Sequence, residues 1–171
     1  ASNDGYLLRN FVSDGIPCLG VEPTQSTAAA AKELGITVIE DFFGEALAKE
    51  LPKSDLVVGN NFFAHVPDIN DFSKGLARCL KPQGVVTLDF PHLLTLVLEN
   101  QFDTVYHEHF SYLSLLSADQ ILNAAGLRIF DVEQLSTHGG SLRIYACLQS
   151  AEHAQTEAVD TLRALESSHG M

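Results

Sequence analysis

Short apolar runs alternate with longer stretches of helical composition along the chain, the pattern of strands laid side by side with helices as connections. The runs predict strands at 17–21, 37–40, 55–59, 85–90, 127–132 and 142–148. Helical patterning falls at 6–13, 25–34, 44–50, 69–79, 92–99 and 118–125, with Gly35, Pro52, Pro82 and Gly126 at the breaks. Ser117, three residues before Gln120, predicts a capping box at the start of the 118–125 helix. The expected fold is α/β: a doubly wound, mostly parallel sheet with helices on both faces. Ligands of such sheets bind beyond the carboxyl ends of the strands, so residues that close a strand or open the next loop carry the most weight.

Ser2-Asn3-Asp4-Gly5 has turn chemistry and leads straight into Tyr6-Leu7-Leu8, as a loop between a strand and a helix does. The sheet domain over 1–150 is therefore expected to lack its first strand. The stretch 152–166 is helical in composition, and 151–171 is expected to be the start of a C-terminal helix or domain, so both ends read as truncated.

The 171 residues are 46% hydrophobic, enough for one domain with a real core. A formal charge of -12, from 10 basic against 22 acidic residues, argues against nucleic acid as a partner. No apolar run approaches the ~20 residues of a membrane span, and the N-terminus lacks the basic-then-apolar pattern of a secretory signal. Cys18, Cys79 and Cys147 form no Cys-x-x-Cys pair and suit a reducing cytoplasm.

One loop and three strand ends offer cofactor chemistry. Asn3 and Gly5 lie in a small-residue loop that lets backbone N–H groups approach a ligand. Glu22 closes the apolar run Cys18-Leu19-Gly20-Val21, where an acid can accept ribose hydroxyls. Asp41 and Phe42 follow the next strand, offering a carboxylate and an apolar ring to an adenine, although Phe42 and Phe43 can equally be core. Asn60 opens the segment Asn60-Asn61-Phe62-Phe63-Ala64-His65 after a further strand. There is no Gly-x-Gly-x-x-Gly and no Gly-Lys-Ser/Thr, so neither NAD nor ATP is favoured. S-adenosylmethionine (SAM), an adenosine without phosphates, fits better.

The densest chemistry is Tyr106-His107-Glu108-His109-Phe110-Ser111-Tyr112, with two imidazoles, a carboxylate and two phenols. In an extended segment His107 and His109 point to one side as a possible metal pair, but no third ligand lies nearby and no metal is expected. A buried polar loop whose groups satisfy one another is a second reading. Acid/base chemistry fits better, because imidazole titrates near ~6.5 and the flanking groups can orient it.

Together with Gly20-Val21-Glu22-Pro23 and His138-Gly139-Gly140-Ser141-Leu142-Arg143, these segments make the chain resemble the SAM-dependent sugar C-methyltransferases of deoxysugar biosynthesis. The resemblance implies a Rossmann-like class I SAM-dependent methyltransferase fold. It also implies methyl transfer to a carbon beside the ketone of a nucleotide-linked keto-deoxysugar. By that analogy His109 is the base, while Tyr106, Glu108 and His65 orient the sugar or stabilise its oxyanion. The family carries zinc in an N-terminal module, of which this chain shows no Cys-x-x-Cys. Methyl transfer to oxygen or nitrogen of a small metabolite, or SAM or adenine-nucleotide binding without turnover, are the alternatives.

Overall fold

The computed structural model describes residues 2–171. The elements run α1 (Leu8–Ser13), β1 (Leu19–Val21), α2 (Gln25–Glu33), β2 (Thr37–Ile39), α3 (Glu45–Ala48), β3 (Ser54–Gly59), α4 (Ile69–Cys79), β4 (Leu80–Pro91), α5 (Leu93–Leu98), α6 (Leu115–Ala124), β5 (Leu127–Leu135), β6 (Ser141–Leu148) and α7 (Glu157–Ser168). Short 3-10 turns occupy Phe63–His65, Phe102–Thr104 and Thr137–Gly139.

β1 and β2 pair in parallel, and a second sheet has the order β3-β4-β6-β5. β3 and β4 are parallel, whereas β6 runs against both β4 and β5. The sheet is thus mixed. Residues 136–140 alone join β5 to β6, too few for the crossover of roughly a dozen residues that parallel neighbours require.

Alternation along the strands separates two faces. Val86, Leu88 and Phe90 stand opposite Ala146, Ile144 and Leu142, and all six are fully buried. Phe72 and Leu76 of α4, Leu115, Ala118 and Leu122 of α6, and Val159 and Leu162 of α7 pack onto this face as one core. Each buried Leu or Phe there stabilises the fold by about 1.5–3 kcal/mol. The opposite face carries Asp89, Arg143 and Glu133 in register across three strands. On that face Leu56 and Val58 of β3 remain 44% and 38% exposed, so the helical cover expected on both sides is incomplete there. Ala28, Ala31, Ile36 and Val38 form a separate small cluster beside β1 and β2.

α4 opens on Asp68, whose side chain accepts the N–H of Asp71 at 2.9 Å. It then crosses α3 at Gly75. A Cβ at that position would stand 2.9 Å from the Gly44 carbonyl group and from the Phe43 ring, so only glycine admits this approach.

The cap of α6 is Ser114 rather than Ser117, and the helix starts three residues earlier than the capping pattern suggests. Ser117 N–H donates to Ser114 Oγ at 3.1 Å, and Ser114 N–H donates to Ser117 Oγ at 2.9 Å. Two further N–H groups of the first turn, Leu115 and Leu116, donate to the Glu166 carboxylate of α7 at 2.6 and 3.1 Å. That distant acid is what sustains the earlier start. α7 itself begins at Glu157, later than its composition suggests. Thr156 is held in extended backbone by its N–H to Phe130 O and by its hydroxyl to Asp131. No helix among the described residues is long and apolar enough to cross a membrane.

Candidate active site

The first strand end is knitted together by Glu22. Its carboxylate is 4% exposed and accepts the N–H of Asn3 at 3.0 Å through one oxygen and that of Thr24 at 3.0 Å through the other. Burial raises its pKa, but the bonds from Thr24 and Asn3 outweigh it, so the carboxyl is held below its usual range. Ser2 N–H donates to Val21 O, and Gly5 turns the loop at φ +81. Asn3 and Gly5 are thus brought against the end of β1 by the acid they were expected to accompany. Ser2 Oγ is buried and has no partner.

Glu22 N–H also bonds Ile39 O at the end of β2, which sets the next loop beside this one. There Asp41 accepts the N–H of Phe42 at 2.7 Å. The two rings divide: Phe43 packs edge-on against Phe72 at 5.3 Å, and Phe42 is 79% exposed. Asn60 is exposed at the end of β3, and five residues later the same loop carries His65.

His109 lies at the centre of the second group. Its ring is 8% exposed, 4.2 Å from the Tyr106 ring, 4.8 Å from His65 and 5.8 Å from Tyr112 between centroids. The segment is not extended. A turn at His107–Glu108, closed by His109 N–H to Tyr106 O at 3.1 Å, breaks the strand period, leaving His107 exposed while His109 turns inward. The two imidazoles therefore share no side, contrary to the extended reading. Ala64 O accepts the N–H groups of Phe110 and Ser111, which fastens the segment to the loop that carries His65.

Tautomers follow from the partners. His109 Nδ1 lies 3.0 Å from Thr104 O, and His65 Nδ1 lies 2.9 Å from Glu108 O. A carbonyl oxygen can only accept, so each Nδ1 carries the hydrogen and each Nε2 keeps its lone pair. Burial lowers the His109 pKa most, the Thr104 bond raises it, His65 lowers it and the Glu108 charge raises it; the net is below the ordinary imidazole value. A neutral ring with a free Nε2 is equipped to take a proton near neutral pH. Of the four expected catalytic residues, Tyr106, His109 and His65 form one ring cluster. Glu108 joins through its carbonyl and its charge, its side chain being exposed.

Thr104 and Tyr112 were not singled out as site residues. The Thr104 contribution is a carbonyl, which any residue type supplies, so its identity carries no signal. Tyr112 stood within the dense segment and was legible only as composition.

A sequence-family profile described as a methyltransferase domain matches residues 2–132. C-methyltransferase NovU of Streptomyces niveus is 37% identical over 99% of this chain, which spans 41% of that relative's length. Among solved structures, magnesium protoporphyrin IX methyltransferase of Synechocystis PCC 6803 with bound SAH superposes with a TM-score of 0.65 at 17% identity, covering 85% of this chain and 70% of that one. A putative S-adenosylmethionine-dependent methyltransferase from Listeria monocytogenes gives 0.65 at 15% identity, over 86% and 88%. At these identities the structures speak for the fold, which is that of class I methyltransferases.

Proposed function

The chain belongs to the methyltransferase-domain family, and from that premise we propose that it methylates a carbon beside the ketone of a nucleotide-linked keto-deoxysugar, with SAM as donor. The observation that carries this reading is His109, a buried imidazole whose Nδ1–H is committed to Thr104 and whose Nε2 is free among Tyr106, His65 and Tyr112. The same base serves a hydroxyl acceptor as well, but a carbon acid does not react without one. The likeness to a C-methyltransferase over nearly the whole chain supports the same choice.

The first three strand ends fit a phosphate-free adenosine. They offer an unpartnered buried hydroxyl at Ser2, a loop turned through Asn3 and Gly5, and an acid, Glu22, at the end of β1, where ribose hydroxyls are accepted in sheets of this kind. Asn3, Gly5, Glu22, Asp41, Phe42 and Asn60 would hold the donor, which supplies an electrophilic methyl group when bound.

On the substrate side, His109 Nε2 removes the proton from the carbon beside the ketone. The Tyr106 hydroxyl stabilises the negative charge that develops on the ketone oxygen, the His65 Nε2 lone pair accepts from a sugar hydroxyl and so orients the ring, and Glu108 stabilises the imidazolium formed. A positioned base contributes about 10²–10⁴-fold, and a hydrogen-bond donor at the oxyanion about 10²–10³-fold.

The test is a nucleotide-linked keto-sugar incubated with the protein in deuterium oxide, first without SAM and then with SAM labelled at its methyl carbon. Deuterium wash-in beside the ketone, followed by a labelled methyl bonded to that carbon, is the expected outcome. A methyl on oxygen or nitrogen, or SAM binding with neither exchange nor turnover, would overturn the proposal.

A further inference from the structure

We propose that Asp89 is a positioning residue for the methyl donor, fixing the shape of the loop after β3; this inference rests on the donor-binding reading of that loop. Its neighbours Leu88 and Phe90 face the core, so Asp89 projects from the opposite face at the end of β4, and it is 8% exposed. Gly59 pairs with Leu88, and the chain leaving β3 passes directly over Asp89.

One oxygen of Asp89 accepts the N–H of Asn61, and the other accepts from Arg143 Nη2 at 3.2 Å. Asn61 sits at φ +47, the left-handed region, which asparagine tolerates better than other residues with a Cβ but which still costs more than it does for glycine. The loop is fixed on both sides, by the pairing of Gly59 on β4 and by the fully buried Phe63. Between them run Asn60, Asn61 and Phe62, and the Asp89 carboxylate grips the middle residue by its backbone. Without that grip Asn61 relaxes to negative φ and Asn60 is re-aimed, while the buried Phe63 holds the His65 turn in place.

A carboxylate on an inner strand is otherwise hard to place, since β-branched residues suit such a position better. Arg143 does not account for it alone. That guanidinium also reaches Glu133 at 3.6 Å, and Glu133 stands opposite Arg143 in the sheet.

The experiment uses the intact protein and calorimetry with S-adenosylhomocysteine (SAH) as the probe. Asp89→Ala should weaken binding about tenfold, and Asn61→Gly in that background should recover most of the loss, because glycine enters the left-handed region without a side-chain penalty. The KM for SAM should rise with it, while donor-independent deuterium exchange in the keto-sugar persists. If Asp89 merely neutralises Arg143, the glycine recovers nothing, and that result overturns the proposal. So does an Asp89→Ala affinity within about twofold of the unaltered protein. Should Asp89→Ala not fold, the pair Asp89→Asn and Asp89→Asn with Asn61→Gly makes the same comparison, and an undiminished affinity in Asp89→Asn overturns the proposal. Absence of SAH binding by the unaltered protein instead removes the donor reading, and this inference with it.

Discussion

Glu166→Ala should cost the fold more than any truncation of a surface charge, because the Glu166 carboxylate is 2% exposed and serves three donors at once. It accepts His92 Nε2–H at 2.9 Å, Leu115 N–H at 2.6 Å and Leu116 N–H at 3.1 Å. Removing it strands a fully buried imidazole and two amides of the first turn of α6. One unmet buried donor costs about 1–3 kcal/mol, and three are left unmet at once. We expect about 3–5 kcal/mol for alanine, a large fraction of the roughly 5–15 kcal/mol that holds a domain together. Glutamine keeps one accepting oxygen and should lose about half as much. The sign of the pH dependence follows from the Glu166 pKa. Burial raises it, but the bonds from His92, Leu115 and Leu116 prevail, and the carboxyl is held below its usual range. Its stabilisation is therefore complete above the unfolded value of about 4.3 and is lost as pH falls through the lower folded value. Urea melts of the wild type and Glu166→Gln at pH 7 and at descending pH measure this directly. A gap within about 0.5 kcal/mol for Glu166→Ala at pH 7, or a Glu166→Gln gap that widens on acidification, would refute the reasoning.

His109→Asn should reduce deuterium wash-in beside the ketone by about 10²–10⁴-fold while SAH still binds, and His107→Asn, altering an exposed ring, should leave exchange in place. The reverse pattern would reassign the base. Because burial holds the His109 pKa below 6.5, the exchange rate should keep its plateau through that pH and fall only below it; a midpoint at or above 6.5 would remove the desolvation argument. Gly75→Ala should lower stability by about 1–3 kcal/mol in thermal melts, since a Cβ meets the Gly44 backbone rather than a yielding side chain. A melting temperature unchanged by that substitution would contradict the close approach of α3 and α4.

Periodicity made the six strands legible because their apolar runs end in glycine, proline or a polar residue. Direction is another matter. Leu142-Arg143-Ile144-Tyr145-Ala146 alternates apolar and polar residues, the signature of an antiparallel strand with one face half open, and it could have been read as such. It was masked because β5 extends beyond Val132 through Glu133-Gln134-Leu135, charged and polar residues that look like loop until Arg143 is placed opposite Glu133. The cap of α6 was hidden for a similar reason. Ser117 with Gln120 matches the capping pattern better than Ser114 with Ser117, and only Glu166, fifty residues away, makes the earlier turn viable.

At the candidate site, composition and geometry carried different shares of the meaning. Residue types alone marked Tyr106–Tyr112 as a place for proton handling, because neither a core strand nor a solvent loop uses that density of rings and charge. They did not separate His109 from His107, since the distinction is made by a turn at His107–Glu108 and by two carbonyls, Thr104 O and Ala64 O, that any sequence provides. Asp89 is the opposite case. Within Val86-Thr87-Leu88-Asp89-Phe90 it reads as an acid interrupting an apolar run, and its partners lie 28 and 54 residues away. A side chain that touches a ligand announces itself through its chemistry. One that shapes the backbone around the ligand is recognised only when the strained residue it holds, here Asn61, is seen beside it.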